Sequence, residues 1–236
     1  MTTLLKPLKF VLISLMALTF TGCYVDDPGP RQEAEHQYAI VDFDRLEIAS
    51  DLHITVEKDN FFSVKASGDR RNIDDLVVRK EGATLVVRYK NFRERRHDTF
   101  IHITMPGLSS VNFSGASESR VDGFTSESMD VYLSGASLCQ VNVNTPSLKV
   151  VLSGASYLSI RGAGQTMEAD VSGSSAMKAF DFAVADASVA VSGASDAQIA
   201  ASSALVVTAT GASRVTYRGN PSVTSEVSGA SLLQQE

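Results

Sequence analysis

The sequence predicts an all-β protein, a single-stranded right-handed parallel β-helix with coils of about 19 residues, and three observations predict it. The phrase Ser-Gly-Ala-Ser, or a close variant, begins at Ser114, Ser134, Ser153, Ser172, Ser192, Thr210 and Ser228, at spacings of 20, 19, 19, 20, 18 and 18 residues. Apolar and polar residues alternate on both sides of the phrases, the period of a strand with one buried face. The 236 residues are 44% hydrophobic and 20% charged, with sixteen Gly and six Pro, which excludes a wholly disordered chain, a collagen repeat and a polytopic membrane protein. A period near 20 marks a solenoid, in which each unit buries its inner face only against its neighbours. The spacing follows no six-residue step, which speaks against the left-handed form. The Leu-x-x-Leu-x-Leu signature of leucine-rich repeats and the calcium-binding nonapeptide pattern are missing from the sequence.

Taken from the first residue, the chain opens on a leader. Residues 1–22 carry Lys6 and Lys9, an uncharged run from Phe10 to Phe20, and small residues before Cys23. A permanent transmembrane helix needs roughly 20 apolar residues, so the shorter run reads as a cleaved export signal. Phe20-Thr21-Gly22-Cys23 resembles the bacterial lipobox, whose cysteine is acylated and becomes the first residue of the mature chain. Cys23 is therefore the expected lipidation site, holding the protein to a membrane without spanning it, since two or three acyl chains anchor firmly where one anchors marginally. Asp26 and Asp27 resemble the signal that sends lipoproteins to the outer face of the outer membrane in some Gram-negative groups, and equally suit a solvated linker. The expected location is the bacterial cell envelope, as an outer-membrane lipoprotein that is periplasmic or surface-exposed. Residues 23–39, polar and Pro-containing, are expected to be a flexible tether. With Cys23 acylated, Cys139 has no partner, so neither a disulfide framework nor a Cys-based zinc site fits one chain.

Residues 40–236 are expected to form the β-helix, in two parts. Over 40–112 the alternation runs without the phrase, in strands such as Leu46-Glu47-Ile48, Leu52 to Val56, Leu85-Val86-Val87 and Ile101 to Met105, with a long charged loop from Lys90 to Asp98. These read as irregular coils that start the solenoid and cover its first edge, because an uncovered edge invites aggregation. Over 113–236 the coils are regular. Immediately before each phrase stand Phe113, Leu133, Leu152, Val171, Val191, Ala209 and Val227, and two residues earlier Val111, Val131, Val150, Ala169, Val189, Val207 and Ser225. After it, Val121, Val141, Ile160, Ala179, Ile199 and Tyr217 form another column. The phrase is thus the corner between two strands, where Gly accepts backbone angles closed to other residues and small side chains stack. Its serines, one coil or about 4.8 Å apart, are placed to satisfy backbone groups or one another. Gly-x-Ser-x-Gly does not occur at the phrases, so the serines read as architecture and not as nucleophiles.

These strands, the step from Ile103 to Leu108 (Ile-x-Met-Pro-x-Leu) and the tandem Ser-Gly-Ala-Ser coils behind a lipoprotein signal resemble the bacterial family labelled putative auto-transporter adhesin, head GIN domain, over about residues 40–233. The resemblance implies a parallel β-helix in the cell envelope. It carries over no catalytic residue, and its adhesin label is an analogy for function.

The remaining chemistry is sparse. β-Helices include polysaccharide lyases and hydrolases, so outward carboxylates were sought one coil apart; Asp130 and Glu168 flank Lys149, and Glu168 and Asp170 share a strand face, about 7 Å apart. Paired glycosidase acids stand about 5 to 9.5 Å apart, but solvated surface is the simpler reading of this pair. His36, His53, His97 and His102 show no metal-binding spacing, so no metal, cofactor or catalytic residue is expected. Cys139 falls in an inward column with Leu158, Met177, Val215 and Leu233. The chain has a formal charge of −6, unfavourable for nucleic acid. Residues 70–102 nevertheless hold nine Lys and Arg against five Asp and Glu, and residues 103–236 six against eleven. Arg93, Arg95 and Arg96 are therefore candidates for binding anionic partners.

The function expected from these features is a non-enzymatic, lipid-anchored envelope protein, adhesin-like, whose β-helical surface binds carbohydrate or an envelope protein. One alternative is a polysaccharide-active enzyme using Glu168 and Asp170. The other is a scaffold that self-associates into a homo-oligomer through the coil carrying Leu232 and Leu233.

Overall fold

The structure, a computed structural model, describes residues 29–236, so the leader, Cys23 and the pair Asp26 and Asp27 lie outside the described residues. In chain order, the front part comprises β1 (Glu33–Tyr38), β2 (Arg45–Ala49), β3 (His53–Lys58), β4 (Ser63–Asp69), the single turn α1 (Arg70–Ile73), β5 (Leu76–Glu81), β6 (Thr84–Tyr89) and β7 (Thr99–Met105). The regular part follows as β8 (Ser110–Ser114), β9 (Glu118–Thr125), β10 (Ser128–Leu133), β11 (Leu138–Asn144), β12 (Ser147–Leu152) and β13 (Tyr157–Ala163). It ends with β14 (Thr166–Val171), β15 (Ala176–Val191), β16 (Asp196–Ala209), β17 (Arg214–Arg218), β18 (Ser222–Val227) and β19 (Leu232–Gln235).

The protein is an all-β solenoid whose seven regular coils repeat one plan: a strand, the Ser-Gly-Ala-Ser corner, a second strand and a short second corner. β8, β10, β12, β14, the second halves of β15 and β16, and β18 stack in parallel into a first sheet. β9, β11, β13, the first halves of β15 and β16, β17 and β19 stack into a second. Between the sheets lie the inward columns. Val111, Val131, Val150, Ala169, Val189 and Val207 are buried in one, and Val121, Val141, Ile160, Ala179 and Ile199 in another. Each such valine or isoleucine contributes roughly 1.5–3 kcal/mol by leaving water, and Phe113, Phe124 and Phe182 fill the widest places.

The corners are ladders. The Ala155 N–H donates to the Gly135 carbonyl at 2.7 Å, and the same bond recurs from Ala136 to Gly115 and from Ala194 to Gly173. The inner serine of each corner is buried from Ser117 to Ser213. The Ser137 and Ser156 hydroxyls donate to the carbonyls of Ser134 and Ser153, each at 2.8 Å, and the Ser156 N–H donates to Ser175 Oγ at 3.3 Å. These hydroxyls satisfy backbone groups at a sharp bend.

At the front, chain order and spatial order part. β2 pairs in parallel with both β6 and β8, and β3 with both β7 and β9. The chain therefore builds its second coil first. It then leaves through β4, α1 and β5 to lay the terminal coil β6–β7 on one side, and crosses to β8 on the other. β5 runs antiparallel to β6, and β4 antiparallel to β7, so hairpin-like strands close this end. The expectation of irregular coils over 40–112 did not include this inversion, because alternation shows which residues face inward and not which coil lies beside which. One boundary also differs. Residues 33–38, expected within the flexible tether, form β1 antiparallel to β4, held by backbone hydrogen bonding and the Lys65–Glu35 ion pair at 3.2 Å. Backbone pairing needs no apolar alternation, so the segment carried no strand signal. At the opposite end β18 is exposed at every position, including Val223 and Val227, and Leu232 is exposed beside the partly buried Leu233.

Candidate functional site

The second sheet carries the most ordered outward surface. His102, Thr55, Arg120, Gln140, Ser159, Lys178, Gln198, Thr216 and Gln234 are register partners from coil to coil, so one polar residue per coil forms a column, in which Thr216 alone is buried. Consecutive members stand about 4.8 Å apart. On one side of it runs a column that includes Phe100, His53, Glu118, Leu138 and Tyr157, of which Phe100, Leu138 and Tyr157 are exposed. The His53 and Phe100 rings stack at 5.1 Å, and His53 Nδ1 lies 3.4 Å from Glu118. On the other side Glu57, Asp122, Asn142, Arg161 and Asp181 are in register.

Within this surface Asp122 is gripped from two coils: Arg120 Nη2 donates to it at 3.0 Å and Asn142 Nδ2 at 2.7 Å. The Arg120 bond first, and then Asn142, lower its pKa below the usual carboxylate value. A depression here is lined by Arg120, Asp122, Gln140, Asn142, Ser159 and Arg161, a set of polar donors and acceptors, with the exposed Leu138 and Tyr157 on the same coils. Farther along, Lys178 Nζ bonds Asp196 at 2.7 Å and Arg218 lies over the Phe180 ring at 4.1 Å. Sequence reasoning missed this column, because its members share no single residue type. Its signal over the regular coils is the third residue after each inner corner serine, from Arg120 to Gln234.

The carboxylates that were sought lie on the first sheet. Lys149 stands between Asp130 and Glu168 in register, and Asp170 between Val151 and Ala190. Glu168 and Asp170 both point to solvent. Among the described residues, no three His, Cys, Asp or Glu side chains come together as a metal-holding group. Cys139 is fully buried, and desolvation pushes its thiol up to about 12, which leaves it without thiolate character.

The three arginines of the charged loop have unequal surroundings. Arg95 is only 8% exposed, ion-paired with the buried Asp75, with its guanidinium 3.4 Å from the Tyr89 ring centroid. It also donates to the Arg93 and Asn91 carbonyls at 2.9 and 3.0 Å. Burial lowers its pKa. Arg95 therefore holds the loop in place, whereas Arg93 and Arg96 remain exposed. Arg93 Nη2 donates to the Arg71 carbonyl at 2.9 Å, tying the loop to α1. Asp69, buried at the N-cap of α1, accepts from Arg71 Nε at 2.8 Å and from the Gln32 N–H at 3.0 Å. The Arg71 side chain, more than any other cause, holds its carboxyl far below the usual range.

Solved structures share this architecture. A putative adhesin from Bacteroides fragilis superposes with a TM-score of 0.84 at 16% identity, over 88% of this chain and 98% of that one. A putative adhesin from Parabacteroides distasonis gives 0.73 at 15% identity, over 88% and 98%. A putative lipid binding protein from the same organism gives 0.66 at 18% identity, over 86% and 96%. At such identities the likeness is one of fold. No curated protein matches the chain. The match that reaches the sequence itself covers residues 42–221, and by it the chain belongs to the family described as putative auto-transporter adhesin, head GIN domain.

Proposed function

We propose that this protein is a non-enzymatic, lipid-anchored binding module of the bacterial cell envelope, and that the outer face of its second sheet is the surface that meets carbohydrate. The polar column from His102 to Gln234, bordered by exposed Phe100, Leu138 and Tyr157, carries this reading. The Arg120 guanidinium and the Gln140 amide, one coil apart, with the hydroxyl, ammonium and further amide groups along the column, offer hydrogen bonds to a chain of hydroxyls, and the exposed Leu138 and Tyr157 beside them cover sugar faces. A rigid, shallow, periodic face suits a periodic polymer better than a compact substrate. A polysaccharide-active enzyme fits less well, because a general acid is kept protonated by burial and Glu168 and Asp170 are solvent-exposed.

A glycan array with the protein tests the reading. Binding is expected to weaken at least about tenfold, 1.4 kcal/mol, in Gln140→Ala with Tyr157→Ala, and to persist in Glu168→Gln on the opposite sheet. Retention of glycan binding by the Gln140 and Tyr157 double variant overturns the site. The anchor has its own check: labelled palmitate is expected to enter the protein and to be lost in Cys23→Ser.

A further inference from the structure

We propose that the closed end of the solenoid, where Phe92 and the charged loop sit on α1, docks onto an anionic phospholipid surface and stands the rod end-on upon it; this rests on the lipid anchor at Cys23 proposed above. The path of the chain leads there. The Gln32 N–H is bonded to Asp69, and the Pro30 carbonyl accepts from Arg71 Nη2 at 3.2 Å, so the first described residues are fastened beside α1. Six residue steps separate Cys23 from Gly29. Even fully extended they span about 20 Å, so an acylated Cys23 keeps this end near the headgroups.

The surface so presented has the right chemistry. Phe92 is fully exposed at the loop tip, between Lys90 and Arg93. The loop beneath it is rigidly rooted, by Arg95 on Tyr89 and Asp75 and by Arg93 on the Arg71 carbonyl. The two buried acids here, Asp69 and Asp75, are paired, Asp69 with Arg71 and Asp75 with Arg95 and Arg93, and Arg70, Lys90, Arg93 and Arg96 are exposed beside the exposed acids Asp74 and Glu94. Residues 29–38 and 63–105, which build this end, contain eleven Lys and Arg against eight Asp and Glu, whereas the neighbouring residues 39–62 hold two against six and residues 106–236 six against eleven. Basic residues near an anionic leaflet are attracted to it, and an interfacial aromatic adds apolar burial. The same field repels the acidic coils, so attraction and repulsion favour one orientation.

The chain contains no Trp, so Phe92→Trp and, at the far end, Leu232→Trp each introduce a sole reporter. The full-length lipidated protein is reconstituted into phosphatidylglycerol-containing vesicles, and flotation and Trp emission are read. Flotation with a blue shift and quenching by brominated acyl chains at position 92, absent at position 232 and lost when Lys90, Arg93 and Arg96 are changed to Ser, supports the docking. Flotation with no shift at position 92, or with equal shifts at both positions, overturns it and leaves the anchor standing. A shift undiminished in phosphatidylcholine vesicles overturns the anionic recognition. Failure to float overturns the anchor and the docking with it.

Discussion

Gly193 shows how little latitude a corner residue has. Its φ is +74°, and a Cβ would stand 2.5 Å from the Gly173 carbonyl oxygen, the acceptor that ties this coil to the last. Gly193→Ala is expected to cost more than about 2 kcal/mol, since the left-handed backbone alone costs about 1–3 kcal/mol. Gly82→Ala, at a φ of +59° with open space around it, bears only the backbone cost. Denaturant midpoints of the two variants check the difference. Ser156→Ala leaves the Ser153 carbonyl without its side-chain donor and is expected to cost about 1 kcal/mol by the same measurement. Cys139 makes a sharper prediction. With its thiol pushed up to about 12 by burial, it should stay unreactive toward thiol reagents at pH 8 until the protein is denatured. The environments of Gly193, Ser156 and Cys139 were legible from the repeat, because small residues at a corner and an inward column position have few other uses. Arg95 was not legible, since nothing in Arg93 to Arg96 distinguishes the arginine that folds back onto Tyr89 and Asp75 from those that do not.

Among the elements, the closing unit of β1, β4 and α1 hangs on Asp69. Its folded pKa lies below the unfolded value of about 3.9, so the stability it contributes is present in full above that value and drains away as pH falls toward the folded one. Acidification from pH 5 toward pH 2 should therefore release β1 before the regular coils. Hydrogen exchange is expected to show faster exchange for the amides of 33–38 than for those of β12 and β14 over this range. Asp69→Asn should exchange rapidly in β1 already at pH 7, at a cost of about 2 kcal/mol for the lost charge-assisted bonds. An exchange pattern in β1 that ignores both pH and the substitution would remove Asp69 from this role. Nothing in the sequence around Asp69 marks this role, because the partners of the carboxylate, Gln32 and Arg71, come together only when β1 pairs with β4.

At the scale of the molecule, nine coils stack into a rod, two from the front part and seven regular, about 43 Å long at 4.8 Å per coil. Each regular coil touches only its neighbours, so a whole coil is removable. Deleting residues 153–171, one period from Ser153 to Val171, joins Leu152 to Ser172 in register. The product is expected to fold cooperatively and to be shorter by about one coil in solution scattering. Removing about half a period instead places outward polar residues in the inward columns and should abolish folding, as circular dichroism would show.

Coil length, inward columns, corner chemistry and the structural use of the serines were all contained in the sequence, because each depends on side-chain parity and backbone conformation within one period. The order of the front coils, the recruitment of residues 33–38 as β1, the burial of Arg95 and the fastening of Gln32 to Asp69 were decided only by the tertiary structure. These depend on which distant segments lie side by side, and adjacency between coils is set by the chain's route through space, to which local alternation is blind.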